Sequence, residues 1–182
     1  LIANAMNMFD GINLQLIIFT IFIFILFILK GFVSMFFVLL LISMINLSLL
    51  NYQNKVFLGD SGSYLISAIL GCTFIYQYKY FNNFLFGDEV FIVMLIPAID
   101  MLRLFVFRII NNKNPFKGDL NHLHHLVNNL FKNKNLTVIV TIALCMIPSI
   151  FLFLNLSSYV IFILTLIIYS ALITYLRYKK LK

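Results

Sequence analysis

Six apolar runs, each close to the length needed to cross a bilayer, dominate this chain. They cover Asn13–Leu29, Gly31–Leu50, Gly62–Tyr78, Val90–Ile110, Leu136–Leu154 and Ser158–Leu176. A spanning helix takes about 17–25 residues. In hydrocarbon every backbone amide has to be paired inside its own segment, which makes helices the default. An outer-membrane barrel needs short strands of alternating polarity, whereas these runs are continuously apolar. The expected fold is an all-α, polytopic membrane helix bundle with about six transmembrane helices, forming one membrane domain over residues 1–182. Composition agrees: hydrophobic residues make up 63%, charged residues 10%, and mean hydropathy is +1.04. A soluble domain carries roughly 25% charge, so this chain cannot cover a water-facing surface. Cys72 and Cys145 both lie in apolar runs, which argues against a disulfide framework. Tyr80–Phe86 reads as an interfacial segment. The first residue is Leu1, with no cleavable signal segment after it, and the chain reads as truncated at its N-terminus.

Charge sets the expected sidedness. Six crossings place residues 1–12, 51–61, 111–135 and 177–182 on one side. Lys55, Arg103, Arg108, Lys113, Lys117, Lys132, Lys134, Arg177, Lys179, Lys180 and Lys182 fall there or at the adjoining helix ends, against Lys30 and Lys79 opposite. The positive-inside rule makes the basic side cytoplasmic. Asp10, Asp60, Asp100 and Asp119 lie on or near that side, as do His122, His124 and His125; Asp88 and Glu89 lie opposite. Residues able to do chemistry thus gather at one membrane face from loops near 1–13, 51–62 and 111–135.

Four motifs carry this chemistry. In Asn4-Ala5-Met6-Asn7-Met8-Phe9-Asp10-Gly11, two amides and an acid recur every three residues and share a face on a helical turn. Such a face suits a sugar, a uracil ring or a metal, and equally a capped helix terminus. In Phe57-Leu58-Gly59-Asp60-Ser61-Gly62-Ser63, a glycine-flanked acid precedes a span. The glycines permit close approach of a phosphate, and the helix start offers free N–H groups. Asp60 there is a candidate Mg²⁺ ligand; the bland alternative is an N-cap by Asp60 or Ser61. The same letters occur around serine-protease nucleophiles, but no scaffold for a catalytic triad exists here.

The third motif, Pro97-Ala98-Ile99-Asp100-Met101-Leu102-Arg103, continues to Arg108. Asp100 and Arg103 are spaced for a structural ion pair along one helix. Arg108 is nearer the interface and better placed to bind phosphate. The fourth runs Asn114-Pro115-Phe116-Lys117-Gly118-Asp119-Leu120-Asn121-His122-Leu123-His124-His125. Three histidines in a polar loop can donate to phosphate, move protons or bind a metal. A structural zinc site would favour four ligands, often cysteine, and no cysteine is near. Lys113 and Lys117 add charge suited to a nucleotide diphosphate. The basic C-terminus is an anchor at anionic headgroups, and Pro148 is expected to kink the fifth span.

The ordered motifs resemble the polyprenyl-phosphate N-acetylhexosamine-1-phosphate transferases, glycosyltransferase family 4. They are most similar to the bacterial undecaprenyl-phosphate GlcNAc-1-phosphate transferase branch. The resemblance runs from about Asn4 to His125, and the last two spans match only in character. It implies a Mg²⁺-dependent enzyme (Mn²⁺ being an alternative). A polyprenyl phosphate attacks the β-phosphorus of a UDP-N-acetylhexosamine, UMP leaves, and lipid-linked cell-envelope glycan synthesis begins. Carried over by position, Asp60 corresponds to the metal-coordinating acid, and Asp60, Asp10, His124 and His125 are the expected catalytic residues. Asn4, Asn7, Asp119, His122 and Arg108 are the expected substrate-binding residues. The implied setting is the bacterial inner membrane with cytoplasmic active-site loops, no nucleic-acid partner, and a homodimer as a compatible assembly.

Two departures stand out. Asn13 and Leu14 occupy positions where the family often has a second acid and glycine. The family's paired-aspartate motif is not found in these residues. It is expected in an upstream part, so that the isolated 182-residue chain would be inactive. Two other readings are a small-solute transporter and a non-catalytic membrane fragment. A transporter would place polar residues at mid-membrane on several helices, whereas here they collect at one end.

Overall fold

The computed structural model describes residues 2–31, 34–80, 86–115 and 120–181, and these residues are helical with short connections. The helices are α1 (Ile2–Phe9), α2 (Gln15–Leu29), α3 (Met35–Tyr52), α4 (Gly59–Tyr80), α5 (Gly87–Val93), α6 (Leu95–Ile110), α7 (Leu123–Phe131), α8 (Lys134–Phe153) and α9 (Ser158–Leu181). The all-α membrane bundle expected from the sequence is what forms. By length and apolarity, α3, α8 and α9 are each sufficient to cross a bilayer, and α5 with α6 makes a fourth span if the pair counts as one.

The remaining runs take other forms for identifiable reasons. The run Val90–Ile110 is broken at Met94, and α5 and α6 meet at a 71° bend. Pro97 accounts for the break: it has no N–H to donate, and its ring excludes the carbonyl four residues back, at Val93. Pro148 behaves differently, lying inside a single α8. The run Asn13–Leu29 becomes α2, whose 15 residues extend about 22 Å at 1.5 Å per residue, short of the roughly 30 Å hydrocarbon core. Helix α4 has the length of a span but carries Ser63, Ser67, Thr73 and Gln77 into the bundle interior.

Helix ends follow local chemistry. Asn54, Asn112 and Asn155 adopt left-handed backbone conformations (φ 55°, 53° and 57°) just beyond α3, α6 and α8. Asparagine tolerates this region better than most residues. In each case the next amide folds back: Lys55 N–H to Leu50 O, Lys113 N–H to Arg108 O, and Leu156 N–H to Phe151 O. Ser34 and Asn133 cap the starts of α3 and α8 by accepting from Phe37 N and Leu136 N.

Helix α2 is the centre of the bundle. Leu16, Phe19, Ile23, Phe24 and Phe27 are essentially inaccessible. In lipid, burial of apolar surface gives little drive to helix association, so packing between side chains has to hold α2 in place. Phe27 stands edge-on to Phe37 of α3 and Phe74 of α4, with ring centroids 5.7 and 5.4 Å apart. Loops pair at both ends. At one end Asn13 Nδ2 donates to Asn54 Oδ1 at 2.7 Å. At the other, Lys30 pairs with Glu89 at 3.5 Å and Ser158 donates to Asp88. The first contact joins the loops after α1 and α3, and the others join the end of α2 and the start of α9 to the start of α5. Removing the central aromatic by Phe27→Ala is expected to cost about 3–5 kcal/mol, read as a lowered unfolding midpoint in detergent micelles.

Candidate active site

The acidic motif begins on α1 but ends beyond it. Asn4 and Asn7 are helical, and Asp10 follows the last turn, its amide donating to Met6 O at 3.0 Å. Asn4 is exposed. Asn7 faces α4: Ser63 Oγ donates to Asn7 Oδ1 at 2.6 Å, and Asn7 Nδ2 donates to Tyr64 Oη at 3.3 Å. This pairing sets the first motif beside the second. Asp60 is exposed in the first turn of α4 rather than at an N-cap, because the helix already begins at Gly59. Gly59 has φ +63°, a conformation that an L side chain would strain.

Asp10 and Asp60 sense each other. The Asp10 carboxyl is pushed up to about 6, first by burial and then by the negative charge of Asp60. Among the described residues no three His, Cys, Asp or Glu side chains form a metal-holding group. The acidic donors within electrostatic reach of each other are therefore Asp10 and Asp60. That suits Mg²⁺, which takes one or two carboxylates and completes its shell with water and phosphate oxygens. It does not suit a zinc site.

The loop after Asp10 is held from behind by Asn51. Leu14 N donates to Asn51 Oδ1 at 2.7 Å, and Asn51 Nδ2 donates to Val56 O at 2.8 Å. Asn51 thus ties the loop carrying Asp10 to the one leading into Asp60. Leu14 has φ +74°, a left-handed conformation in which a non-glycine residue is strained by about 1 kcal/mol or more. The Asn51 bond and the packing of Leu14 against the core offset that cost. Asn13, at the other departing position, is engaged with Asn54 and with the Asn51 carbonyl.

The histidines reach this region through Gly11. A Cβ built on Gly11 would lie 1.9 Å from His124 Nε2 and 2.3 Å from its Cε1. Only a residue without a side chain lets the imidazole rest there. His124 is 2% exposed, and its Nε2 has no hydrogen-bond partner among the described residues. Burial, followed by the neighbouring His125 and His122, lowers its pKa to about 3, so the ring is neutral at physiological pH. His122 and His124 are stacked, 5.5 Å apart and 5° from parallel, and His125 lies 4.2 Å from His124. His125 is half-buried.

Asp100 holds the start of α7. It is 7% exposed. Its Oδ1 accepts from Arg103 Nη2 at 2.8 Å and Tyr169 Oη at 2.6 Å, and its Oδ2 lies 3.2 Å from His122 Nδ1. Leu123 N, the first helical amide of α7, lies 3.2 Å from both oxygens. Arg103 also donates to Asn121 O at 2.7 Å. The ion pair expected from the sequence is present, but it serves the histidine segment as well as its own helix. Arg108 is 4% exposed and donates to Pro115 O at 2.7 Å, so it is buried at the root of the same loop. Asp119 lies outside the described residues, as do Lys117 and most of the segment around Tyr80–Phe86.

Asn7, Asp10, Asp60, His122, His124 and His125 thus assemble from α1, α4 and α7, while Asn4 lies on the exposed side of α1 and Arg108 beneath the loop. From sequence alone Ser63 had no role, although it lies in the second motif, and Tyr64, Asn51 and Tyr169 were not marked. A tyrosine in an apolar span was a signal for the last; the others look like ordinary polar residues near helix ends.

Comparison with known proteins bears on the N-terminal part of this assembly. Residues 1–78 match the profile of the family described as Glycosyl transferase family 4. The chain is 32% identical to the undecaprenyl-phosphate alpha-N-acetylglucosaminyl 1-phosphate transferase of Thermotoga maritima, over 50% of this chain and 30% of that protein. It is 33% identical to the decaprenyl-phosphate N-acetylglucosaminephosphotransferase of Mycolicibacterium smegmatis, over 41% of this chain and 21% of that one. The matched region spans less than a third of either relative. No solved structure matches. The family match covers both acidic motifs and ends before the histidines. Over its first 78 residues the chain is similar to glycosyl transferase family 4.

Proposed function

We propose that this chain carries part of the active site of a membrane transferase that moves a sugar 1-phosphate, N-acetylglucosamine 1-phosphate being the favoured case, from a UDP-sugar to a polyprenyl phosphate. An oxygen of the lipid phosphate attacks the β-phosphorus of the donor. The bond from that phosphorus to the bridging oxygen breaks, and UMP leaves with the electron pair. The observation that carries this reading is the joint between Gly11 and His124, which sets the acidic loop against the histidine helix at one end of the bundle. Two anions have to meet there, and their repulsion has to be offset.

Asp10 and Asp60 are the groups that would hold Mg²⁺, which would supply the charge neutralisation that brings two phosphates together. Asn7 is oriented by Ser63 and Tyr64 and would present its amide to the nucleotide sugar. His125, at the edge of the cluster, would donate to a phosphate oxygen. His124, neutral and packed on Gly11, would keep its free Nε2 for a substrate group or a water. The acceptor's tail stays in lipid, so a site at the end of the spans lets headgroup and nucleotide meet without dragging either through hydrocarbon.

The test uses the full-length natural protein in detergent with UDP-N-acetylglucosamine and undecaprenyl phosphate, reading UMP and lipid product. Mg²⁺-dependent release of UMP is expected, and its absence overturns the reading. Asp60→Asn is expected to lower kcat about 100-fold; full Mg²⁺-dependent activity in that variant removes Asp60 from the metal site. Gly11→Ala drives a methyl into His124. Misplacement of a reacting group by about 1 Å costs on the order of 100-fold in rate, and the crowding costs about 1–3 kcal/mol of stability.

Proton competition gives a third outcome. A cation at Asp10 has to displace the proton that burial and Asp60 hold to about pH 6. Divalent-cation affinity is therefore expected to rise from pH 5 to pH 7 and level off above. Without cation the sign for stability is opposite. The raised pKa favours the fold below the unfolded value of 3.8, and that contribution is lost as pH climbs through 6. Titration calorimetry with Mg²⁺ at several pH values reads the first effect, and unfolding with chelator present reads the second.

A further inference from the structure

We infer that Asp100 is a positioning residue for the proposed transfer, acting through His122, and that α9 takes part in the site by way of Tyr169. The inference rests on the reading of the histidine segment as part of the active site. On an exposed helix face an Asp–Arg pair three residues apart needs no further partner; buried as Asp100 is, it takes more. Here the carboxylate also meets His122 Nδ1, the Leu123 amide and the Tyr169 hydroxyl, while Arg103 reaches the Asn121 carbonyl and, through Nε, Tyr169 Oη at 2.9 Å. Consecutive residues 121, 122 and 123 are thus each gripped by the Asp100–Arg103 pair. That grip fixes where α7 starts and at what angle it leaves.

The contact with His122 has a chemical consequence. An ionised carboxylate only accepts hydrogen bonds, so the ring nitrogen facing Asp100 carries the proton. Nδ1–H is committed to Asp100, and Nε2 is the nitrogen left for other partners. A histidine whose one nitrogen is bound to a carboxylate has its tautomer and ring orientation set by that bond. His122 stacks on His124, which rests on Gly11. The register imposed at Asp100 is therefore passed along the stack to the loop that carries Asp10. Tyr169 brings the last helix into the arrangement, because its hydroxyl donates to Asp100 Oδ1 and accepts from Arg103.

Asp100→Asn keeps the volume and removes the charge. In the full-length protein it is expected to lower kcat about 10- to 100-fold, the range for loss of a carboxylate that orients a functional histidine, with KM for the UDP-sugar changed less than about threefold. In a double-mutant cycle with His122→Gln, the second substitution is expected to add less than about threefold to the first. Wild-type kcat in a folded Asp100→Asn protein overturns the inference, and so do multiplicative effects in the cycle. Where Asp100→Asn does not accumulate, Tyr169→Phe replaces it in the same cycle, with the same criterion. A readout independent of turnover is the ¹⁵N spectrum of histidine-labelled protein. It is expected to show His122 as the Nδ1–H tautomer in the wild type and a tautomer mixture in Asp100→Asn. An unchanged tautomer overturns the inference. An inactive wild type with the expected tautomer change overturns the functional reading instead and leaves the Asp100–His122 link standing.

Discussion

A carboxylate buried in a membrane helix is tolerated only when partners replace the water it has lost. Asp100 meets that requirement by drawing partners from three helices: Arg103 on its own α6, Tyr169 on α9, and the N-terminus of α7. The position of α7 follows from this. A nine-residue amphipathic helix at the end of a bundle has little to hold it by itself. It is fixed at its first turn by Asp100 and along its buried face by Leu123, Leu126 and Val127. The bend at Pro97 contributes as well, since it sets the direction in which α6 carries Asp100 toward the end where α1 and α4 present their acids.

Glycine and asparagine make the other half of the site possible. The imidazole of His124 occupies the space that any side chain at position 11 would need. Asn51, a buried amide, stitches together two loops that are far apart in sequence by giving one hydrogen bond and accepting another. Each of these residues solves a backbone problem, and their joint effect is to bring Asp10 near Asp60. The energetic cost is visible in the Asp10 carboxyl, raised to about 6. Two carboxylates held close together and partly shielded from water favour a cation or a proton, and a divalent cation between them relieves the repulsion the fold has built in.

The membrane-bundle fold was legible in the sequence because continuous apolar runs leave few alternatives. Helix segmentation was less so. The break at Met94 was readable from Pro97, whereas α2 looks like a span until its helix proves only 15 residues long, and Gly62–Tyr78 until its polar residues are seen to face inward. For the site, counting six crossings and charges placed the acids and histidines on one side; the described residues hold three or four helices able to span, and Gly11 is set against His124. The specific contacts were hidden. Nothing local marks Asn51 as a clamp, and the Asp100–Arg103 spacing explains itself as a helical ion pair so completely that it conceals the link to His122. Leu14 illustrates the same limit: a leucine in a left-handed conformation is strained, and only the amide waiting across the loop explains how the chain accepts it.

The division of polar groups between the two ends also constrains what the site can bind. At the end opposite the proposed site the acids have partners: Lys30 pairs with Glu89, and Asp88 accepts from Ser158. At the site end the carboxylates repel, and a neutral His124 stacks on His122 with His125 tilted beside it. On the proposed reading, an anionic ligand accompanied by a divalent cation would satisfy both halves, the cation at Asp10 and Asp60 and the anion at neighbouring basic residues. A phosphate-bearing substrate at the membrane boundary, as proposed, would complement these opposing charges.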